Sequence, residues 1–253
     1  MIMISIIHKE CQGLPYLELI EEDKKDQSFP LIVFYHGWTG RKENNLTQGY
    51  EIAKKGFRVV MPDALFHGER ADGPAENHQL QFWQIIEKSI EEFPKFVKLY
   101  ADQGLIDGDN VAVGGLSMGG ITVCALFTVY PWIKNAVCLE GTPNPVAFAK
   151  ILVDNLPGIE DVPQEYIHEQ LAGLNQIDMS LNREKIAGRP LHFWHGTADD
   201  MVPYSLTKKF FDEIQGKDFA KNVTMTTTPG AGHKVSYETT VEMADKFAEY
   251  FAK

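Results

Sequence analysis

Gly115-Leu116-Ser117-Met118-Gly119 spells G-x-S-x-G, the pattern of a serine held at a tight turn between a strand and a helix. A serine hydroxyl is a poor nucleophile at neutral pH. It needs a base, normally a histidine oriented by a carboxylate. The chain offers both further on. Carboxylates stand in His195-Gly196-Thr197-Ala198-Asp199-Asp200-Met201-Val202-Pro203, and a histidine closes Gly230-Ala231-Gly232-His233. Read as nucleophile, acid and base, Ser117, Asp199 and His233 could run acyl transfer, with an ester, amide or thioester as substrate. The tetrahedral intermediate then needs two fixed N–H donors, and losing one costs on the order of 3 kcal/mol. The amide of Met118, directly after the serine, is one. Trp38, in Tyr35-His36-Gly37-Trp38-Thr39-Gly40, is the expected second.

Each of these segments follows a short apolar run. Leu31–Tyr35 precedes the Trp38 loop, Val111–Val113 the serine, Leu191–Trp194 the acids and Val223–Thr226 the histidine. Two further runs, Phe57–Met61 and Ala136–Leu139, complete a set that reads as strands buried on both faces. Amphipathic patterns alternate with them: Leu46, Tyr50 and Ala53; Phe82 to Val97, with Pro94 expected to kink it; and Val241 to Phe251. The alternation predicts an α/β chain with a mostly parallel sheet of about eight strands and helices on both faces. The runs Ile4–Ile7 and Leu17–Ile20 are expected as an antiparallel edge.

Residues 141–188 break this rhythm with Pro143, Pro145, Pro157 and Pro163 and two short helical patterns, one with Val146, Ala149, Leu152 and Val153, the other with Ile167, Leu171 and Leu174. Leaving the C-terminal edge of the sheet, where open α/β sheets bind ligands, they are expected to form a small helical lid within a single domain spanning 1–253, with an ordinary crossover carrying extra helices as the alternative. Around the site His36, His67, Phe148 and Leu152 are expected to border the substrate, with the apolar members favouring short-to-medium acyl groups.

With 24 Lys+Arg against 35 Asp+Glu, the net charge is −11, a balance opposed to nucleic-acid binding and to a polybasic membrane patch. No apolar run approaches the ~20 residues that a bilayer requires. Three cysteines, Cys11, Cys124 and Cys138, imply no disulfide framework, and the apolar surroundings of the latter two predict buried thiols. A cytoplasmic enzyme, monomeric or homodimeric, is expected. His168-Glu169 is followed by Ala172 rather than a second ligand, so neither metal nor organic cofactor is expected.

Taken together, HGWTG, PDALFHGER, GLSMGG, HGTADDMVP and GAGH resemble the α/β-hydrolase superfamily, and within it small bacterial esterases of the dienelactone-hydrolase and prolyl-oligopeptidase-like groups. The resemblance runs from the strand at 31–35 to the last helix. It implies an α/β-hydrolase fold and a carboxylic-ester hydrolase with Ser117 as nucleophile, His233 as base and Asp199 as acid. The H-G-x-x-D-x-x-V-P pattern favours Asp199, with its neighbour Asp200 as an alternative and Glu140 at a position some members use. The loop at 62–70 departs from the pattern D-x-x-G-H-G-x-S in Phe66 and Arg70, and its His67 is expected to be structural, with a local ion pair at Glu69 and Arg70. Peptidase, amidase or thioesterase chemistry on the same triad, and a non-catalytic binding protein of this fold, are the competing readings.

Overall fold

The computed structural model describes residues 2–155 and 158–252, leaving aside the side chain of Gln170; Pro157 lies outside the described residues. The strands are β1 (Ile4–Cys11), β2 (Leu14–Glu21), β3 (Phe29–Tyr35), β4 (Arg58–Pro62), β5 (Ile106–Leu116), β6 (Asn135–Leu139), β7 (Leu191–Gly196) and β8 (Val223–Thr228). They form one eight-stranded sheet in the order β1-β2-β4-β3-β5-β6-β7-β8. β1 and β2 pair antiparallel across a two-residue turn, Gln12-Gly13, in which both residues have positive φ. β2 joins β4 antiparallel, and the strands from β4 to β8 are parallel. The edge hairpin and the parallel body therefore agree with the reading of the sequence.

The pleat divides the core. In β3, Leu31, Val33 and Tyr35 face one side and Ile32 and Phe34 the other, because successive side chains leave opposite faces of a strand. The helices are α1 (Leu46–Ala53), α2 (Phe82–Asp102), α3 (Met118–Val129), α4 (Pro145–Asn155), α5 (Gln164–Ala172), α6 (Leu174–Ile177), α7 (Tyr204–Ile214) and α8 (Tyr237–Phe251). α1 and α8 contribute Ile52, Ala53, Met243 and Phe247 to the core on one face. α2, α3 and α7 fill the other with Ile86, Phe93, Ile121, Phe127 and Phe210.

One local expectation is corrected. Tyr50 is exposed rather than core-facing. α1 turns Gly49, Ile52 and Ala53 inward instead, with Gly49 packed so tightly that a Cβ there would meet the Met61 sulfur at 2.5 Å. Pro94 lies inside α2, a continuous helix of 21 residues. Proline has no N–H to offer the carbonyl four residues back, and the Tyr130 hydroxyl donates to that carbonyl, Ile90 O, at 3.0 Å.

In the long connection, α4 and α5 stand over the C-terminal edge of the sheet. Leu174, Ile177, Met179 and Ile186 are instead part of the main core, so its second half is integral to the domain. Among the described residues no helix is long and apolar enough to cross a membrane. The three cysteines are buried and unpaired.

Candidate active site

Ser117 stands between β5 and α3 with φ 57° and ψ −121°, a left-handed conformation that costs a residue with a Cβ about 1–3 kcal/mol. The surroundings enforce it. A Cβ on Gly115 would lie 2.6 Å from the backbone of Gly119, and one on Gly119 would lie 2.2 Å from the Tyr35 carbonyl oxygen. Glycine at both places lets α3 start directly beneath β3 and lifts Ser117 to the strand end. Met118 is the first residue of α3, so its amide has no acceptor within the helix.

The other groups come from loops at the same end of the sheet. His233 Nε2 lies 2.8 Å from Ser117 Oγ, and His233 Nδ1 lies 2.8 Å from Asp199 Oδ2. The acceptor on the Nδ1 side fixes the tautomer: Nδ1–H donates to Asp199, and Nε2 accepts the serine O–H. Asp199 is itself held. Its Oδ1 accepts the amides of Met201 and Val202, each at 3.0 Å. His195 Nε2–H donates to Oδ2 at 3.0 Å and also to the Val202 carbonyl at 2.9 Å. Burial alone would raise the Asp199 carboxyl, but the hydrogen bonds from His195, His233 and the Val202 amide reverse this and hold it far below the ordinary carboxylate range. Burial also disfavours the His233 cation. Its hydrogen bond to Asp199 and the charges of Glu140, Asp199 and Asp200 outweigh that and raise its pKa above the usual 6.5.

Asp200 is exposed and takes no part in this network. Glu140, just past β6, is buried, and its Oε2 lies 3.9 Å from His233 Nδ1 without a hydrogen-bond partner. Burial pushes its carboxyl up to about 7, with the Asp199 charge adding to the effect. The group of side chains spaced to hold a metal ion among the described residues is Glu140, Asp199 and His233, and it coincides with the serine's hydrogen-bond chain.

The loop carrying Trp38 is braced from behind. His36 is buried; its Nδ1–H donates to the Gly37 carbonyl at 2.8 Å and its Nε2 accepts the Ala64 amide at 3.0 Å. His67 Nδ1–H donates to the Leu65 carbonyl, and its Nε2 accepts the Thr39 amide at 3.3 Å. Burial lowers both rings, His36 to about 4, which keeps them neutral and able to accept. Neither lines the cavity beside Ser117, so their expected place at the substrate is corrected: they shape the loop. Lys42, wholly buried, anchors its far end through Asp63 at 2.6 Å and Glu69 at 2.5 Å. Arg70 pairs with Glu92 of α2 at 2.8 Å, so the ion pair expected between Glu69 and Arg70 gives way to two separate ones.

A cavity of about 310 Å³ opens beside the serine. Trp38, Phe82, Trp83, Phe148, Leu152 and Ile167 form much of its wall, and among the described residues no Lys, Arg, Asp, Glu or His borders it. Phe148 and Leu152, both expected beside the substrate, lie on this wall. His195 is the functional neighbour that pattern reading passed over. It lies near the end of the buried strand β7, and a polar side chain at such a position has to find a buried partner.

A serine at a strained strand-to-helix turn, with a histidine and a buried carboxylate from two later strand ends, defines a serine hydrolase of α/β-hydrolase fold. Comparison with known proteins agrees and is more specific: residues 50–253 match the model of the prolyl oligopeptidase family, Peptidase_S9, and the chain belongs to it. It is 39% identical over 254 residues to YitV of Bacillus subtilis (strain 168), a provisionally named esterase, covering 98% of this chain and all of that one. Esterase YjfP of Escherichia coli (strain K12) is 30% identical over 239 residues, 93% of this chain and 95% of its own. Among solved structures, TT1662 from Thermus thermophilus superposes with a TM-score of 0.79 at 18% identity over 99% of both chains. Est1E from Butyrivibrio proteoclasticus, bound to ferulic acid, gives 0.70 at 20% identity over 98% of this chain and 100% of its own. These two establish likeness of fold.

Proposed function

We propose that the protein is a carboxylesterase acting on uncharged esters of short-to-medium acyl chain through Ser117, His233 and Asp199. The observation that carries this reading is the pair of 2.8 Å contacts linking Ser117 Oγ, His233 and Asp199 at the mouth of an apolar cavity. Ser117 Oγ attacks the ester carbonyl as its proton passes to His233 Nε2. The Met118 and Trp38 amides receive the oxyanion, and Asp199 stabilises the imidazolium. Collapse of the intermediate expels the alcohol, protonated by His233, and leaves an acyl-Ser117 ester. Water then gives its proton to His233 as its oxygen adds to the acyl carbon, and His233 returns that proton to Ser117 Oγ as the acyl–oxygen bond breaks and the acid is released. The steps balance as ester plus water to acid plus alcohol, and no cofactor enters.

The names of the two bacterial relatives support an ester over an amide. In this reading α4 and α5 act as a lid over the cavity, and the enzyme works in the cytoplasm, where its buried thiols stay reduced. The test is a matched set of butyryl substrates: p-nitrophenyl ester, thioester and p-nitroanilide. The reading expects kcat/KM to be highest for the oxygen ester. A faster anilide would replace it with an amidase.

A further inference from the structure

Two carboxylates face one histidine N–H in this site, and they are not equally satisfied. Asp199 accepts from four donors: the Met201 and Val202 amides, His195 and His233. Glu140 Oε2, in a residue only 3% exposed, accepts from none and points at His233 Nδ1 from 3.9 Å. Its backbone is held at φ 43°, in the left-handed region that a side-chain-bearing residue enters at a cost. That conformation comes where the Glu140 amide donates to the Trp194 carbonyl at 2.8 Å, tying the end of β6 to β7.

We infer that Glu140 is a positioning residue for His233: a second carboxylate that strengthens the base when ionised and receives the Nδ1–H when the Asp199 contact is lost. This rests on the reading of Ser117, His233 and Asp199 as the triad. The groups facing Glu140 are His233 from the loop after β8, and His195 and Asp199 from β7 and its following loop; His233 additionally feels Asp200. Crowding by Asp199 explains why the two acids divide their roles. Like charges sharing a site cannot both ionise easily, and the donors on Asp199 assign it the permanent charge. Glu140, lifted to about 7 by burial and by Asp199, takes up or releases its proton near neutrality, in the range where His233 also titrates, and the two influence each other.

The experiment has two arms. In the first, the protein labelled in its histidine rings is titrated by NMR, wild type against Glu140→Gln. The His233 midpoint should fall by about one pH unit in the variant, because a nearby anion favours the imidazolium. A midpoint that does not move overturns the proposal. In the second, residual hydrolysis of p-nitrophenyl butyrate is compared for Asp199→Ala and Asp199→Ala/Glu140→Gln, with circular dichroism on each. The single variant should exceed the double by about tenfold, a coupling within the range for contacting residues; equal rates overturn it. If Asp199→Ala fails to fold, Asp199→Asn replaces it in both proteins. The NMR arm needs no turnover, so a folded wild type that hydrolyses nothing yet shows the midpoint shift rejects the esterase and keeps the pairing.

Discussion

Gly119 and Tyr35 are in van der Waals contact through their backbones, so close that a Cβ on Gly119 would lie 2.2 Å from the Tyr35 carbonyl oxygen. This contact joins the nucleophile turn to the strand that leads into the Trp38 loop. The fold thereby sets the distance between the serine and one of its two proposed oxyanion donors. Gly119→Ala has backbone rather than a flexible side chain to displace. It should cost about 1–3 kcal/mol of stability, in line with overpacking elsewhere, and lower kcat far more than it raises KM. Urea unfolding and steady-state kinetics on the same preparation check both.

The pH profile follows from His233. Its pKa is raised in the folded protein, and the base must be neutral to take the serine proton. Activity should therefore rise with pH along a limb whose midpoint lies above 6.5, the ordinary imidazole value. Asp199→Asn removes the stabilising carboxylate, should shift that limb to lower pH and should cut kcat by about 10³–10⁴-fold. Measurement of kcat/KM from pH 5 to 9 for both proteins tests the sign and the size.

Substrate charge should matter more than moderate changes in chain length. A carboxylate placed in the cavity would lose its hydration and, among the described residues, meet no Lys, Arg or His side chain on its wall. The butyryl ester should be hydrolysed at least tenfold faster than the hemisuccinate of the same chain length and leaving group, a gap of about 1.4 kcal/mol. Equal rates would mean that the acyl group binds elsewhere.

Lys42 offers a test of the scaffold apart from the chemistry. Its ammonium is fully buried against Asp63, which is fully buried too, and it also meets Glu43 and Glu69. Lys42→Met leaves the Asp63 carboxylate without its partner. Removing one member of a buried pair costs about 3–5 kcal/mol, and thermal unfolding should show a loss of that order at pH 7.

What the sequence disclosed and what it hid have separate physical causes. The parallel strands were legible because burial on both faces makes them continuous apolar runs, as in Leu31-Ile32-Val33-Phe34. Ser117 was legible because a strained turn with two close backbone approaches demands glycine at fixed spacing. Tyr50 misled because an apolar ring at helical spacing suggests the core, whereas Gly49, with no side chain to reveal its burial, is the residue packed on Met61. His36 and His67 misled in another way. They are neighbours of the site in sequence and in space, but their ring nitrogens are spent on the amides of Ala64 and Thr39. The double grip on Asp199 by His195 and His233, and the approach of Glu140, depend on side-chain directions at three strand ends, which no linear pattern encodes.

The most direct measurement is hydrolysis of p-nitrophenyl butyrate by the wild type and by Ser117→Ala, with circular dichroism on both and labelling by an active-site phosphonate. The account predicts turnover and labelling at Ser117 in the wild type, and neither in a folded Ser117→Ala. Equal hydrolysis by the two proteins would contradict it, and so would a folded wild type that neither turns over the ester nor takes the label.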